Sequence, residues 1–473
     1  MRASLRPPPA RRVEPVEYSA GPKITSETEA PTPPRSHPRG GTTSLRSAPS
    51  PERDGVSPPS SRVTRRTWEV PVAEPSTRDE KPYRRSPLNR LRPASFGAEP
   101  SGERLTRIRS SPQFRDGAFR NERPTRTLRA REALPLLRES FRRDLWARRT
   151  PAAPPPVVRP ALVEPGGEPA SGLRITWLGH ATALAEIDGH RVLFDPVWGE
   201  RCSPFGFVGP RRLHPTPLSL AELGRLDAVV VSHDHYDHLD MPTMRALAGA
   251  DTVFVVPLGV GAHLEHWSVP AEKVVELDWH ESTRVGELTL TATPGQHFCG
   301  RGLRNQGATL WASWAVVGPR HRVFHSGDTG YFPGFADIGA ALGPFDVTMM
   351  QMGAYSPEFW PDVHMTPDEG VRAHLDLSGG TPRGVLLPIH WATFNLAPHP
   401  WEEPAEWSVR AARAAGVQVA LPRPGESFEP SRDLPVHPWW RALAKPAPEA
   451  AGAPGPEGGG TLAAERAPRP VEH

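Results

Sequence analysis

The segment "AVVVSHDHYDHLD", residues 228–240, joins an apolar run to four side chains that can bind a metal ion. His233, His235, Asp237 and His238 occupy four of six consecutive positions. Residues two apart in an extended segment point to the same side, so His233 and His235 can reach one ion with imidazole nitrogens about 2 Å from it. Asp237 and His238 then turn toward a second position. A run this dense after a strand predicts a metal site rather than isolated structural histidines.

The two ends of the chain differ in composition from its centre. The 473 residues include 60 prolines and 42 glycines, and only 37% are hydrophobic, which predicts that part of the chain does not pack. Residues 1–110 lack any apolar period and are predicted to be a disordered basic arm rich in Pro, Arg and Ser. Residues 111–170 are predicted to be an extended lead-in with a short amphipathic helix at 131–149. The folded domain is predicted at 171–430, and residues 431–473 are predicted to be a low-complexity tail.

Charge and targeting signals narrow the class of protein. The first 150 residues carry 32 Lys+Arg and 17 Asp+Glu, so the net charge of +3 conceals a basic arm and an acidic remainder. Such an arm could touch nucleic acid or anionic lipid, but a solvated tail is the simpler interpretation, and no nucleic-acid partner is expected. We find no apolar signal-peptide core, and the two cysteines make no disulfide framework. A soluble cytoplasmic protein is therefore expected, with peripheral contact to the inner face of a membrane as an alternative.

Between the flanks, short apolar segments alternate with turn signals. Many strands with few helices predict an α+β fold in which layered sheets are covered by helices. Asp240 and Pro242 should open one helix, and the capping box from Thr366 to Glu369 should open another through about Leu375. The predicted strands are "LRITWLGH", "TALAEI", "HRVLFDP", "DAVVVSH", "TVFVVP", "KVVELD", "ELTLTATP", "LWASWAVVG", "HRVFHSGD" and "GVLLPIH".

Several of these strands end in a side chain that can bind a metal or orient a ligand. Loops at strand ends are where functional sites are built, so these residues are candidates for one site. They are His180, Asp195, His233, His297, Asp328 and His390.

The motifs resemble those of a known superfamily. "HDHYDH" meets the H-x-H-x-D-H signature of the metallo-β-lactamase superfamily in full. A closer resemblance, over roughly residues 112 to 410, is to the N-acyl-phosphatidylethanolamine-hydrolysing phospholipase D family. It is carried by "ITWLGHATAL", "VLFDPVWGERCSPFGFVGPRRL", "GQHFCGRG", "HSGDTGYFPGF", "MMQMGAYSPEFW", "VHMTPDEGVRAH" and "IHWATF". The resemblance implies a four-layer αββα sandwich.

The resemblance also implies two zinc ions, with manganese and iron as alternatives. The third residue of the motif is His235, whereas the related di-iron oxidoreductases have a glutamate there, in an H-x-E-x-D pattern. This difference argues against redox chemistry. Water between two dications becomes a nucleophile near neutral pH, so no Ser, Cys or His base is required. The implied ligands are His233, His235 and His297 for the first ion, Asp237, His238 and His390 for the second, and Asp328 bridging both.

Further roles follow from the same resemblance. Asp237, Asp328 and His364 are the expected catalytic residues, and His364 should position the substrate or act as an acid. Its alternative is an exposed histidine ahead of a helix. Asp195 is expected to orient a ligand imidazole, with a turn-forming Asp before Pro as the alternative. His180 is expected to act similarly, whereas His325 and Cys299 are expected to be structural.

The implied activity is phospholipase D-type hydrolysis of N-acyl-phosphatidylethanolamine or a related glycerophospholipid, releasing phosphatidate. Three alternatives remain open: a lactonase, a soluble phosphodiesterase, and a non-catalytic lipid-binding scaffold. A nucleic-acid hydrolase of the same fold would carry an extra domain, and the roughly 60 residues between Asp328 and His390 are too few for one. Aromatic loops such as "SPFGFVGP" could line a lipid groove or belong to the core.

Overall fold

Two seven-stranded sheets form the centre of the computed structural model, which describes residues 93–126, 135, 148–164, 167–302 and 305–444. A short antiparallel hairpin, β1 (Phe114–Arg115) and β2 (Ala118–Phe119), precedes them. In spatial order, the first sheet contains β16 (Ser427–Phe428), β3 (Leu173–Gly179), β4 (Thr182–Ile187), β5 (His190–Phe194), β6 (Ala228–Val230), β7 (Val253–Pro257) and β8 (Val274–Leu277). The second contains β15 (Gln418–Val419), β14 (Val385–Ile389), β13 (Val347–Gln351), β12 (Arg322–His325), β11 (Ser313–Val317), β10 (Leu288–Thr293) and β9 (Ser282–Val285).

Helices accompany both sheets. They are α1 (Gly102–Ser110), α2 (Met241–Leu247), α3 (Gly261–His266), α4 (Gly334–Leu342), α5 (Pro367–Leu377) and α6 (Glu403–Ala415). Short 3-10 turns occur at Ala94–Phe96, Leu220–Leu223, Ala271–Lys273 and Trp439–Leu443. No helix among these described residues is long and apolar enough to cross a membrane.

Side chains alternate between two cores along each buried strand. In β6, Ala228 and Val230 join the core between the sheets, whereas Val229 joins an outer core with Met244 of α2. In β13, Met349 lies in the core between the sheets, and Met350 lies in the opposite outer core. Burying one such apolar side chain stabilises the fold by about 1.5–3 kcal/mol relative to leaving it exposed. Because apolar side chains project from both faces of each sheet, both faces must be covered. The result is the predicted four-layer αββα sandwich.

Parallel pairing places the ligand-bearing loops at related edges. β5, β6 and β7 are parallel in the first sheet, as are β12, β13 and β14 in the second. The carboxyl ends of parallel strands meet at one edge, where α/β proteins commonly bind ligands. The chain leaving β6 enters the "HDHYDH" segment, and the chain leaving β14 enters His390.

All ten predicted strand segments contain a strand of the structure. Asp240 caps α2 by accepting a hydrogen bond from the Thr243 amide, and Thr366 and Glu369 form the predicted capping box of α5. The prediction omitted β13, whose "VTMMQ" shows no regular alternation of apolar and polar residues, although Gly343 and Pro344 precede it and Gly353 follows it. It also omitted β9, the hairpin of β1 and β2, and the two-residue edge strands β15 and β16.

Both predicted limits of the folded domain require correction. Residues 93–110 were predicted to lie in the disordered arm, but they form a 3-10 turn and α1, and Ile108 is buried. Arg104 pairs with Glu265 and Glu276. At the other end, the tail predicted from residue 431 contains the buried Trp439 and Trp440. These contacts lie far apart in sequence, so local composition does not reveal them. The predicted helix at 131–149 lies outside the described residues except for 135, 148 and 149.

Candidate metal centre

Seven predicted ligand side chains converge at the edge where the two sheets meet. They come from the loops after β6, β10, β12 and β14. The structure places them in overlapping groups: His233, His235 and His297; Asp237, His238 and His390 together with His180; and Asp328 beside members of both groups. Their assignment as ligands remains a prediction, while their convergence is observed.

The first group consists of three imidazoles. His233 Nε2 lies 2.8 Å from His235 Nδ1, and His297 Nε2 lies 3.3 Å from the same His235 atom. His233 and His297 are buried, whereas His235 is half-buried and faces the opening. Three nitrogen atoms this close are suited to the three-histidine coordination of one divalent ion.

The second group combines two imidazoles with a carboxylate. His390 Nε2 lies 3.1 Å from His238 Nε2 and 3.2 Å from Asp237 Oδ2. His180 adds a third imidazole, with its Nε2 atom 2.9 Å from the same Asp237 oxygen. His180 and His390 both have positive φ angles, 55° and 71°, an uncommon conformation for non-glycine residues that aims each side chain into the site.

Asp328 lies between the two groups. Its Oδ2 atom is 3.2 Å from His238 Nε2 and 3.1 Å from His390 Nε2. The same oxygen is 4.0 Å from His233 Nε2 and 3.8 Å from His297 Nε2. Asp328 Oδ1 is buried without a hydrogen-bond partner among the described residues. This carboxylate is therefore placed to contact two ions at once.

The hydrogen bonds around the imidazoles determine which nitrogen atoms carry protons. His238 Nδ1 lies 2.7 Å from Asp195 Oδ2, and His297 Nδ1 lies 3.0 Å from the Val363 carbonyl oxygen. Both partners only accept, so Nδ1 of each ring donates, and Nε2 of each ring is directed toward Asp328. Lone pairs facing a carboxylate repel each other unless a cation lies between them. The donor set therefore fits divalent metal ions.

Asp195 anchors this arrangement from behind. Its Oδ1 atom accepts the Ser232 amide at 2.6 Å, and its Oδ2 atom accepts the Ser232 hydroxyl at 2.7 Å. The Ser232 oxygen lies 3.0 Å from His233 Nδ1, so one carboxylate is connected to imidazoles of both groups. This geometry matches the predicted orienting role. Such partners fix the tautomer and the orientation of ligand histidines.

The charges of the centre perturb its titration strongly. Burial raises the pKa of Asp328, but His238 and His390 outweigh it and hold that pKa well below the ordinary range. Burial would lower the pKa of His390, yet Asp328 and Asp237 raise it to about 9. Burial and His390 together lower the pKa of His180 to about 3. Protons and metal ions therefore compete for the same nitrogen atoms, as at other histidine sites.

His364 lies at the opening of the centre. Its Nε2 atom is 3.4 Å from Asp328 Oδ2, and 13% of its side chain is exposed. Burial lowers its pKa to about 4, although Asp328 opposes this shift. The alternative prediction, an exposed histidine ahead of a helix, does not fit this position.

The two residues predicted to be structural make structural contacts. His325 Nε2 lies 2.9 Å from the Ala181 carbonyl oxygen, and its ring stacks on Phe194. Cys299 is fully buried, and its thiol donates to the Thr309 carbonyl oxygen at 2.6 Å.

Two residues that support the centre were missed by sequence analysis. Asn121 accepts from the His297 amide at 3.0 Å and donates to the His297 carbonyl oxygen at 2.8 Å. Arg301, 2% exposed, donates to the carbonyl oxygens of Asp234 and Leu239 and so holds both ends of the "HDHYDH" loop. Asn121 is 176 residues from His297, so no local pattern could have indicated this contact.

The family model of the beta-lactamase superfamily domain matches residues 190–391, which include all seven predicted ligands. An uncharacterised protein of Mycobacterium tuberculosis is 51% identical over 356 residues, or 74% of this chain and 92% of the relative. The N-acyl-phosphatidylethanolamine-hydrolyzing phospholipase D 1 of Caenorhabditis elegans is 39% identical over 237 residues, or 48% of this chain and 65% of the relative.

A solved structure, that of a possible metal-dependent hydrolase from Veillonella parvula, is 20% identical to this chain and has a TM-score of 0.43. The match covers 54% of this chain and 98% of the Veillonella protein.

Proposed function

Because the chain belongs to the metallo-β-lactamase superfamily and to its N-acyl-phosphatidylethanolamine-hydrolysing phospholipase D-like family, and is a metal-dependent hydrolase, we propose that it cleaves glycerophospholipids. The proposed reaction is phospholipase D-type hydrolysis of N-acyl-phosphatidylethanolamine or a close relative. The observation that carries the proposal is the complete set of seven ligand-type side chains, in which Asp328 lies between the two groups. A location inside the cell, which the absence of a disulfide framework favours, is part of the same proposal.

The centre would hold two divalent ions, and we propose zinc because imidazole and carboxylate ligands suit it. His233, His235 and His297 would bind one ion; Asp237, His238 and His390 would bind the other. Asp328 would contact both, since its Oδ2 atom lies within 4.0 Å of ligand nitrogens from each group. Two cations there would lower the pKa of an intervening water molecule and offset negative charge on the phosphoryl oxygens.

The protein's own side chains supply orientation. Asp195 and Ser232 keep the imidazoles of both groups in one tautomer, which preserves the lone pairs that face Asp328. His364 would contact the phosphoryl group, because it borders the centre and reaches Asp328 at 3.4 Å. Hydrolysis adds the water oxygen to phosphorus, breaks the bond from phosphorus to the ethanolamine oxygen, and transfers a proton to that oxygen.

The products and the origin of their oxygen test this proposal. Zinc-loaded protein is incubated with N-acyl-phosphatidylethanolamine in detergent micelles in ¹⁸O-water. We expect phosphatidate carrying the label and unlabelled N-acylethanolamine. Asp328→Asn should lower the rate at least about a thousandfold, because it weakens the bridge between the ions. Asp337→Asn, which alters an exposed carboxylate on α4, is the matched control and should keep the rate. Diacylglycerol as product, or turnover of lactones alone, would contradict the proposal.

A further inference from the structure

Large apolar side chains are exposed beside the metal centre. Within the described residues, five large hydrophobic side chains are exposed, and four of them lie in two neighbouring segments. These four, Phe205, Phe207, Val208 and Phe298, are called the apolar patch below. Phe207 is 83% exposed and Val208 is 50% exposed. Exposing such side chains to water is unfavourable, and a cluster of them marks a surface that binds something apolar.

The loop that carries most of the patch has a closed base. Arg201 and Arg211 form an isolated β-bridge, and the Cys202 amide donates to the Pro210 carbonyl oxygen at 3.3 Å. Arg201 also donates to the Gly209 carbonyl oxygen at 2.5 Å. These bonds hold the ends of the loop together, so Phe207 and Val208 project at its tip. The tip is therefore exposed because the base of the loop is held in place.

A continuous series of aromatic rings links the loop to the centre. Phe207 packs on Phe205, with ring centroids 5.6 Å apart, and Phe205 packs on Phe96 at 6.1 Å. The Phe96 ring in turn lies 6.4 Å from the Tyr236 ring. Tyr236 follows His235 in the ligand motif. On the far side of the motif, the Phe298 ring lies 4.9 Å from the His235 ring. The patch therefore borders the opening of the metal centre.

Two segments that adjoin the patch are rich in arginine. The segment 120–126 lies beside Phe298, because the Asn121 side chain bonds to both backbone groups of His297. This segment and the base of the loop together carry five arginines and two acidic side chains. A third acidic side chain, that of Asp362, lies nearby and accepts a hydrogen bond from the Arg126 amide. The arginines are Arg120, Arg123, Arg126, Arg201 and Arg211; the acidic residues are Glu122 and Glu200.

We propose that the apolar patch inserts into the surface of a lipid bilayer that contains anionic lipids. Aromatic and branched side chains at the tip would enter the interface between headgroups and acyl chains, and the flanking arginines would contact anionic headgroups. The inference deepens the proposed function and rests on it for its purpose, since docking at this patch would bring the metal centre against the bilayer that holds a phospholipid substrate.

Vesicle sedimentation tests the proposal with the full chain. The probe is a set of sucrose-loaded vesicles of phosphatidylcholine, with or without phosphatidylglycerol. We expect the wild-type protein to bind the mixed vesicles more tightly than phosphatidylcholine alone, and less tightly when salt is raised. The double substitution Phe207→Ser with Val208→Ser should weaken binding at least about tenfold. Phe207→Leu should retain most of the binding, because its side chain is still apolar.

Val436→Ser is the matched control, since Val436 is 60% exposed but lies outside the patch. It should bind vesicles as the wild type does. The double variant should still hydrolyse a water-soluble aryl phosphodiester at the wild-type rate, which shows that it is folded and metal-loaded. Wild-type protein that remains in the supernatant would overturn the proposal, as would a double variant that binds normally. Size-exclusion chromatography in which the patch holds two copies of the chain together, without vesicle binding, would overturn it as well.

The two proposals fail in different ways. Wild-type protein that cleaves N-acyl-phosphatidylethanolamine in micelles but does not bind vesicles would refute the patch and leave the proposed function standing. Wild-type protein that binds vesicles through the patch but cleaves no phosphodiester would support the patch and refute the proposed function.

Discussion

Asp195 shows how a single residue can control a metal centre without facing the ions. Its two oxygen atoms accept from the Ser232 amide, the Ser232 hydroxyl and His238 Nδ1 at 2.6 to 2.7 Å. A carboxylate accepts hydrogen bonds through both oxygens. An asparagine in its place would have one oxygen and one NH2 group, and the NH2 group would face one of these three donors without a bond. The orientation of His238 therefore depends on the negative charge and on both acceptor atoms.

We expect Asp195→Asn to weaken metal affinity about 10- to 100-fold, because orienting carboxylates of ligand histidines have effects of this size. Competition with a chromogenic chelator measures the change. Asp227→Asn is the control, since Asp227 also accepts a backbone amide, that of Arg191, but lies outside the centre. Unaltered affinity in a folded Asp195→Asn protein would show that the hydrogen bond to His238 does not support metal binding.

The candidate ligands could be predicted from the sequence where they are close together or lie at strand ends. The density of "HDHYDH" indicated a metal site, and the family resemblance supplied His297, Asp328 and His390. Neither approach could supply Asn121 or Arg301, because an amide or a guanidinium that hydrogen-bonds to backbone carbonyl oxygens has no characteristic spacing. The positive φ of His180 was equally invisible, since it arises from the way the chain leaves β3.

At the scale of elements, the N-terminal turn and α1 belong to the folded domain. The Ala94 carbonyl oxygen accepts from Trp267 Nε1 at 2.7 Å, and the Ser95 carbonyl oxygen accepts from Arg301 Nε at 2.9 Å. Ile108 on α1 is 1% exposed. The turn therefore accepts a hydrogen bond from the buried guanidinium of Arg301, which also holds the ligand loop.

A chain that begins at Ser111 is expected to be less stable than one that begins at Pro93 by about 2–4 kcal/mol. The loss combines the burial of Ile108 with an unsatisfied donor on Arg301. Urea unfolding of the two chains measures the difference. Arg107→Ala in the longer chain is the control, because its ion pair with Glu281 is exposed and should contribute less than about 1 kcal/mol. Equal unfolding midpoints for the two chains would contradict this account of the N-terminal segment.

Strand prediction succeeded where a segment had a clear apolar pattern and failed where tertiary contacts defined the element. β10 ends before Pro294 and Gly295, β14 begins after Gly384, and both were predicted. β13 is buried on both faces and has no alternation, so its pattern could not be separated from that of a buried helix. The two-residue strands β15 and β16 exist only because they pair with β14 and β3.

At the scale of the whole molecule, two packed sheets bring together residues that span more than 150 positions. His233 follows β6 of the first sheet, whereas Asp328 and His390 follow strands of the second. The metal centre therefore exists only when both sheets are folded and packed. The family resemblance implied both the fold class and the closeness of the two groups of ligands, through a bridging Asp328, but the sheet packing that produces this closeness could not be derived from local sequence patterns.

The central claim is that this edge binds two metal ions joined by Asp328. The most direct measurement is the metal content of the purified full chain, by inductively coupled plasma mass spectrometry, for the wild type, Asp328→Asn and Asp337→Asn. We predict two zinc ions per chain in the wild type and in Asp337→Asn, and fewer than two in Asp328→Asn. A wild-type chain that binds no divalent metal, or an Asp328→Asn chain that retains both ions at wild-type affinity, would contradict the account.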